Sequence, residues 1–287
     1  MTELLLLTNK LVTAREEPEN TMNRRNILTA IGAALLATAC APDAKLADSN
    51  WAVSGDETGP INHDAWDRLL SSYGRASEDG INRIDYKAIK TDADAELKGY
   101  IKALEAVAIS QYPRDEQFAY WVNLYNAATV QVIVDNYPLD SIRDIGLLGQ
   151  GPWKNKSVKV EGKALSLDDI EHGILRPIWK DVRIHYAVNC ASIGCPNLAL
   201  KAYRADSLEP MLEDAARAYI NHPRGFADKG GKLVASNIFE WYQSDWGKQA
   251  DVLSHARKYA TGETAAQLAD AKRIDGYDYD WSLNDGK

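Results

Sequence analysis

The feature that most constrains the fold of this chain is its long apolar segment at residues 114–138, RDEQFAYWVNLYNAATVQVIVDNYP. The apolar residues fall on most sides of a helix. Pro138 ends that helix, because proline lacks the amide hydrogen that a continuing helix needs. A helix that is apolar on most faces has to be buried among other elements. The sequence therefore predicts a central helix around which a domain packs.

Amphipathic helices and short strands are predicted on both sides of this segment. The predicted helices cover 61–74, 92–109, 166–179, 207–221, 237–247 and 249–260, and a short extended piece enters a helix at 80–89. The predicted strands cover 157–162, 183–188, 232–236 and 274–284. Because no second linker or repeat interrupts this order, the predicted fold is α+β (mixed α/β), a helix-rich single domain around a small sheet at residues 60–287.

The N-terminal sequence predicts export. Residues 22–40, MNRRNILTAIGAALLATAC, begin with Arg24 and Arg25 and continue with an apolar run too short to span a bilayer comfortably. The two arginines resemble a twin-arginine signal, and ATAC resembles a lipoprotein cleavage box. Cys40 would then be lipidated. A plain signal peptide cut nearby and a buried N-terminal helix are the alternatives.

The export signal determines how the residues before and after it are interpreted. Met22 is a better start than Met1, so residues 1–21 are predicted to be an upstream mis-start. Residues 41–59, rich in Ala, Asp, Ser and Gly, suit a tether. We expect the domain on the periplasmic side of a bacterial membrane, anchored by its lipid or secreted.

Charge and motif content exclude several function classes. The net charge of −8 argues against nucleic-acid binding, which needs a basic surface. The sequence contains no phosphate-binding glycine loop, no G-x-S-x-G and no H-E-x-x-H, so nucleotide hydrolysis, serine esterase and zincin activities are poorly supported. No cofactor is predicted. The predicted partners are the membrane and an unknown small-molecule, peptide or envelope ligand.

Two of the three cysteines lie in residues 185–198, HYAVNCASIGCPNL. Cysteine attacks as a thiolate, so a catalytic Cys190 or Cys195 needs a neighbouring base. His185 and His172 are the candidate bases. These residues predict a thiol-dependent hydrolase or an acyl or peptidyl transferase.

The predicted strand at 183–188 restricts these pairings. If the strand continued to Cys190, His185 and Cys190 would point to opposite faces. His185 could then meet Cys190 only if the chain turned at Asn189, whereas Cys195 could fold back over the strand end.

Three further polar residues are candidates for the same site. Asn123 and Asn126 must hydrogen-bond something if buried, either loop backbone or groups in a pocket, where Asn123 could polarise a substrate. Glu171 could pair with Arg176 or Arg183, or act as a general acid or base if desolvated.

Two other interpretations of the cysteines remain open. Cys190 and Cys195 could form a structural disulfide in an oxidising compartment, within a non-enzymatic periplasmic domain that binds a ligand or protein. Such a bridge closes so short a loop that it would fix its shape more than stabilise the fold. A metal site from Cys190, Cys195 and His185 is the third alternative, although the C-x4-C spacing is loose for structural zinc.

Five segments together resemble the domain-of-unknown-function 547 family. They are FAYWVNLYNA (118–127), SLDDIEHGILR (166–176), RIHYAVNCASIGCPNL (183–198), IFEWYQSDW (238–246) and YDWSLN (279–284). The resemblance covers roughly residues 60–285 and implies a single domain found in many exported bacterial proteins and at the C-terminus of some plant proteins. It brings no settled activity. The residues that its motifs single out are Asn123, Asn126, Glu171, His172, His185, Cys190 and Cys195.

Overall fold

The predicted central helix is present as Arg114–Asn136 in a computed structural model of the chain, which describes residues 43–146 and 149–286. Almost every side chain from Gln117 to Val134 is buried. The other helices of the described residues pack around it. Residues 1–21, the export signal and Cys40 lie outside the described residues, so the predictions made for them are not addressed by the structure.

We number the α-helical segments of the described residues in chain order. They are α1 Asp64–Tyr73, α2 Tyr86–Ala88, α3 Asp94–Glu105, α4 Arg114–Asn136, α5 Leu167–Ile170, α6 Arg176–Trp179, α7 Ile184–Ala187, α8 Leu208–Ile220, α9 Ile238–Trp241, α10 Gln243–Trp246, α11 Gln249–Tyr259 and α12 Gly262–Ala269. Single π-helical turns occur at Ile89–Ala93 and Glu171–Leu175. None of the described helices is both long and apolar enough to cross a membrane.

The strands form three small sheets. They are β1 Gly74–Ala76, β2 Asn82–Ile84, β3 Lys156–Val160, β4 Lys163–Ser166, β5 Phe226–Asp228, β6 Leu233–Ser236 and β7 Gly276–Asp278. β1 pairs with β2 and β3 with β4, both antiparallel, while β6 lies between antiparallel β5 and parallel β7. This architecture confirms the predicted helix-rich α+β fold.

Helix α7 lies where two hydrophobic clusters meet. Ile184 and Ala187 pack in the main cluster around α4. Tyr186 packs in a second cluster with Tyr219 and Phe239. The chain that follows α7 therefore emerges between the two clusters, and it carries both candidate cysteines.

The strand predicted at 183–188 is wrong, because Ile184–Ala187 is helical. The backbone carbonyl of Asp181 accepts from Ile184 N at 3.1 Å, and its side chain accepts from Arg183 N at 2.9 Å, which starts a helical turn. Alternation cannot distinguish a short apolar run in a strand from one in a buried helix. The expectation that His185 and Cys190 face opposite sides therefore loses its basis.

The helix predicted at 166–179 is interrupted by the π turn Glu171–Leu175. Ser166 caps its start, as predicted, and Asp169 completes a capping box. The π turn carries Glu171 and His172. Such turns inside helices occur frequently at functional sites.

Part of the segment 41–59, predicted as a tether, packs against the domain. Lys45 N donates to the carbonyl of His172 at 3.1 Å, and Ala47 N donates to that of Gly173 at 3.0 Å. The rings of Trp51 and Trp121 meet edge to face at 5.2 Å. The packed domain therefore begins before residue 60.

Candidate active site

The loop after α7 is held in a fixed shape by Asn189. Its side-chain oxygen accepts from Ala191 N at 2.8 Å, and its amide nitrogen donates to the carbonyl of Pro196 at 2.7 Å. Its backbone N donates to Asn126 Oδ1 on α4 at 2.8 Å. Ala191 has φ 60°, a left-handed conformation that costs a non-glycine residue about 1–2 kcal/mol. Surrounding contacts thus impose the backbone beside Cys190.

The C-terminal segment docks along this loop. Ile193 N donates to the carbonyl of Ser282, and Gly194 N donates to that of Asp280, both at 2.8 Å. A Cβ on Gly194 would lie 2.8 Å from Asp280 N, so this approach requires glycine. The docking brings Tyr279 against the loop.

Four side chains then meet, which we call the thiol cluster: Cys190, Ser192, Cys195 and Tyr279. Cys190 Sγ lies 3.2 Å from Ser192 Oγ and 3.1 Å from Tyr279 OH, and the two hydroxyls are 2.9 Å apart. Cys190 N donates to Cys195 Sγ at 3.0 Å. Cys190 is partly exposed, whereas Cys195 is buried.

The two thiols have opposite electrostatic environments. Hydrogen bonding from the Cys195 thiol, followed by that from the Ser192 and Tyr279 hydroxyls, holds the pKa of Cys190 below its usual value, although burial opposes this. Burial raises the pKa of Cys195 well above its usual value, and the neighbouring Cys190 thiol adds to this. Burial also raises the pKa of Tyr279, which keeps its hydroxyl protonated as a donor. Cys190 is therefore the thiol prepared to ionise.

An aromatic wall, formed by Trp241, Tyr279 and Trp281, stands beside Cys190. The Tyr279 ring lies 4.8 Å from Trp241 and 4.7 Å from Trp281, and the two tryptophans stack at 5.4 Å. All three side chains are partly exposed. They offer an apolar surface next to the thiol.

A second group, the ion-pair network, consists of Glu171, His172, Arg176, His185 and Asp245. Arg176 binds Asp245 through Nε at 2.6 Å and Nη2 at 2.8 Å. Arg176 Nη1 donates to His172 Nδ1 at 3.1 Å. His185 Nε2 donates to Asp245 Oδ2 at 2.8 Å, and its Nδ1 lies 3.9 Å from Glu171 Oε1. Both histidines are thus engaged by charged partners.

Burial and charge compete across the ion-pair network. Burial alone would raise the pKa of Glu171, but the neighbouring His172, His185 and Arg176, together with the Tyr242 hydroxyl, outweigh it and the pKa lies below its usual value. The pKa of Asp245 is also lowered, because hydrogen bonds from His185 and Arg176 exceed its burial. Burial lowers the pKa of His185 despite the bond to Asp245. Ionised carboxylates and a neutral His185 are therefore favoured at neutral pH.

Tyr242 packs on the ion-pair network and interacts electrostatically with Cys190. Its ring packs 4.2 Å from the His185 ring, and the Arg176 guanidinium lies over it at 4.9 Å. Its hydroxyl hydrogen-bonds Glu171. The charge of Glu171 reaches Cys190 and opposes its ionisation. Among the described residues, no hydrogen bond joins either cysteine to His172 or His185.

The predicted structural disulfide is not formed, because Cys190 and Cys195 are both free thiols. The alternative metal set of Cys190, Cys195 and His185 is not brought together either. Within residues 43–146 and 149–286, no group of three or more His, Cys, Asp or Glu side chains could hold a metal ion.

The two candidate asparagines of α4, Asn123 and Asn126, bind backbone. Asn123 Nδ2 donates to the carbonyl of Tyr203 at 2.8 Å, and its Oδ1 accepts from Tyr203 N at 3.0 Å. Asn126 Nδ2 donates to the carbonyl of Ala187 at 2.9 Å. The side chain of Asn123 therefore fixes a loop and makes no contact with the thiol cluster. Asn126 supports the cysteine loop from behind.

Sequence reasoning missed three residues of these two groups, Ser192, Asp245 and Tyr279, and also Tyr242, which packs on the ion-pair network. Signals for them existed. Ser192 lies within NCASIGC, Tyr242 and Asp245 lie in the motif at 238–246, and Tyr279 begins the motif at 279–284. What the sequence lacks is any indication that these distant motifs converge.

Residues 109–220 match the model of a family described as "Protein of unknown function, DUF547". The matched residues include α4, the π turn Glu171–Leu175 and the cysteine loop, while Asp245 and Tyr279 lie beyond them. No match was found among curated proteins or among solved structures. The match supports the family resemblance over this part of the chain and brings no activity with it.

Proposed function

We propose that the chain is a thiol-dependent enzyme, a hydrolase or an acyl or peptidyl transferase, in which Cys190 is the nucleophile. The observation that carries this proposal is the environment of Cys190 Sγ: the sulfur of a partly exposed residue, with two hydroxyl oxygens at 3.1 and 3.2 Å. Hydrogen bonds to a thiolate lower the free energy of the ionised form and so increase its population at neutral pH. An exposed, ionised sulfur can attack a carbonyl carbon.

The reaction follows from this arrangement. The Cys190 thiolate attacks the carbonyl carbon, and the carbonyl oxygen gains negative charge. The hydroxyls of Ser192 and Tyr279 are placed to donate to that charge as it leaves the sulfur. The leaving group departs with a proton from solvent and a thioester remains on Cys190. Water then gives hydrolysis, and an amine or hydroxyl gives transfer.

The ion-pair network does not act on the Cys190 sulfur directly in this proposal. His185 gives its Nε2 hydrogen bond to Asp245, and the Nδ1 of His172 accepts from Arg176. Neither imidazole contacts the sulfur. The charge of Glu171 reaches Cys190 and opposes its ionisation, so the activation of the thiol comes from the thiol cluster and not from the ion-pair network. The alternative of a binding domain built on a disulfide is disfavoured, since both thiols are free.

We also propose that the domain acts on the periplasmic side of a bacterial membrane, anchored through lipidated Cys40 or secreted. The support is the sequence of residues 22–40 alone, with its arginine pair, apolar run and lipobox-like end. The test is to express the full chain and its Cys40→Ala variant and to follow processing and membrane fractionation. Lipid incorporation that depends on Cys40 supports the anchor, and equal soluble fractions of both proteins contradict it.

The enzymatic proposal is tested with an activated ester. The reduced full chain is incubated with p-nitrophenyl acetate, quenched and mapped by peptide mass. We expect an acetyl group on Cys190 and a burst of nitrophenol that Cys190→Ser abolishes while its circular dichroism stays unchanged. Cys195→Ser should retain the burst. Equal nitrophenol release by the wild type and Cys190→Ser would contradict the nucleophile assignment.

A further inference from the structure

Acyl transfer needs one sulfur, but the thiol cluster holds two cysteines close together. Cys190 N donates to Cys195 Sγ at 3.0 Å, which places the Cys195 sulfur against the backbone of Cys190. Cys195 forms no bond to the substrate in the acyl-transfer proposal. The presence of buried Cys195 next to partly exposed Cys190 is therefore not explained by acyl transfer.

The two sulfurs differ in access. Cys195 is 4% exposed, whereas Cys190 is partly open to solvent beside the aromatic wall. A molecule arriving from solvent thus meets Cys190 first, and Cys195 can react only with a group already attached to Cys190. This asymmetry is what thiol–disulfide exchange requires of an attacking and a resolving thiol.

The surroundings of Cys195 also favour its brief ionisation. The amide of Cys190 already points at its sulfur and would strengthen its bond to a thiolate. Arg224, which donates to the carbonyl of Ile193 at 3.0 Å, is attracted to a charge on Cys195. Burial disfavours that charge at rest, so Cys195 stays protonated until the exchange proceeds.

We propose that Cys190 and Cys195 form a redox-active dithiol that exchanges with disulfides of low-molecular-weight thiols or of proteins. This activity goes beyond acyl transfer and does not depend on it. Its basis is the close approach of two cysteines of unequal exposure, with Cys195 Sγ 3.0 Å from Cys190 N, in a loop whose shape Asn189 fixes.

The exchange balances in two steps. The Cys190 thiolate attacks one sulfur of R–S–S–R, which breaks that bond, forms Cys190–S–S–R and releases R–S⁻, which takes up a proton. Cys195 then loses its proton and attacks Cys190 Sγ, and the second R–S⁻ leaves with that proton. The chain has lost two electrons to form a Cys190–Cys195 bond, and the disulfide has been reduced to two thiols.

The probe is glutathione. The full chain is equilibrated in mixtures of reduced and oxidised glutathione, trapped with an alkylating agent and mapped by peptide mass, which separates Cys40 from the pair. We expect wild type to convert reversibly between the dithiol and the Cys190–Cys195 bridge. Cys195→Ser should stop with glutathione on Cys190, and Cys190→Ser should take up glutathione on Cys195 at least about tenfold more slowly.

The wild-type measurement decides the proposal even if a variant fails to fold. Absence of the bridged form in every mixture overturns it, and so does glutathione uptake at equal rates by the two variants. The acetylation experiment is independent of this one. Acetylation of Cys190 without any bridge would reject exchange and leave acyl transfer standing, whereas a bridge without acetylation would reject acyl transfer alone.

Discussion

The thiol cluster and the ion-pair network lie side by side, yet they satisfy their polar groups in different ways. In the ion-pair network, Arg176 and Asp245 form two hydrogen bonds and each histidine nitrogen that contacts them is occupied. In the thiol cluster, Cys190 is partly exposed and its partners are neutral hydroxyls and a thiol. The neutral hydroxyl and thiol donors of the thiol cluster can stabilise a negative charge that appears on Cys190. The charged groups of the ion-pair network are already paired, so a change in the charge of any one of them is unfavourable.

Because of this difference, we expect the ion-pair network to stabilise the fold and the thiol cluster to control the reactivity of Cys190. Breaking a buried ion pair leaves an uncompensated charge and is strongly destabilising. Removing one hydroxyl donor from a partly exposed sulfur changes its ionisation more than the fold. The ion-pair network should therefore respond to substitution mainly in stability, and the thiol cluster mainly in reactivity.

The largest expected effect is on the ion-pair network. Arg176→Met leaves half-buried Asp245 with only the hydrogen bond from His185, and we expect the free energy of unfolding to fall by about 3 kcal/mol. Arg176 is 2% exposed in its side chain, whereas Arg68, paired with Glu96, is 65% exposed. The control Arg68→Met should cost about 0–1 kcal/mol. Urea unfolding measures both, and equal losses would contradict a structural role for the network.

Substitutions of Asn123 and Asn126, both on α4, should separate stability from reactivity. Asn123→Ala and Asn126→Ala each leave buried backbone groups unpaired, so each should lower the free energy of unfolding by about 2 kcal/mol. Only Asn126 holds the backbone of Asn189 beside Cys190. We expect Asn126→Ala alone to change the alkylation rate of Cys190. An equal change in Asn123→Ala would place Asn123 in the site after all.

Stability should fall as the pH is lowered from 7. The folded pKa of His185 lies below its unfolded value near 6.5, so the unfolded chain gains the proton first and the fold loses stability below that pH. Burial lowers the pKa of His63 and of His255 to about 4, and both add to the decline. The pKa of Asp245 is lowered in the folded chain, so the fold also loses stability as the pH falls from the unfolded pKa of this carboxyl through its folded pKa, at still lower pH.

The contribution of His185 to this pH dependence is measurable as the slope of the unfolding free energy against pH. Unfolding free energy is measured by urea titration at several pH values between 7 and 5 for wild type and His185→Gln. Each lowered histidine can contribute up to about 1.4 kcal/mol per pH unit. We expect a shallower slope in His185→Gln, whatever its absolute stability. Parallel slopes would mean that His185 does not change its protonation on unfolding.

The smallest effect in free energy concerns the thiol cluster. Tyr279→Phe removes one donor to Cys190 Sγ, so the pH midpoint of Cys190 alkylation should rise by about one unit. Tyr277 lies two residues away, and its hydroxyl accepts from Gln249 instead. The matched control Tyr277→Phe should leave the midpoint unchanged. An unchanged pH midpoint of Cys190 alkylation in Tyr279→Phe would show that the Tyr279 hydroxyl does not activate Cys190.

Much of the fold was predictable from the sequence, because the deciding signal was local. The buried segment 114–138 and the stop at Pro138 defined α4, and Ser166 with its acidic neighbours defined a helix start. The strand predicted at 183–188 failed because its apolar run is too short for periodicity to decide. Its helix depends on Asp181 and on packing between two clusters, and neither is visible as a pattern.

The candidate site was predictable only in part. Cys190, Cys195 and the histidines were found because few such residues occur in the chain. Their partners Asp245 and Tyr279 lie more than fifty residues away along the chain. Folding, and not spacing, brings them together. The sequence offered His185 and His172 as candidate bases for either cysteine, whereas the structure gives the histidines and the cysteines different sets of partners.

The most direct test of the central claim, that hydroxyl and thiol donors activate Cys190, is its alkylation rate as a function of pH. The reduced full chain is labelled with iodoacetamide, and the label on each cysteine is quantified by peptide mapping. The account predicts that Cys190 reacts ahead of Cys195, with a midpoint below about 8.5. A midpoint at or above that value, or faster labelling of Cys195, would contradict it.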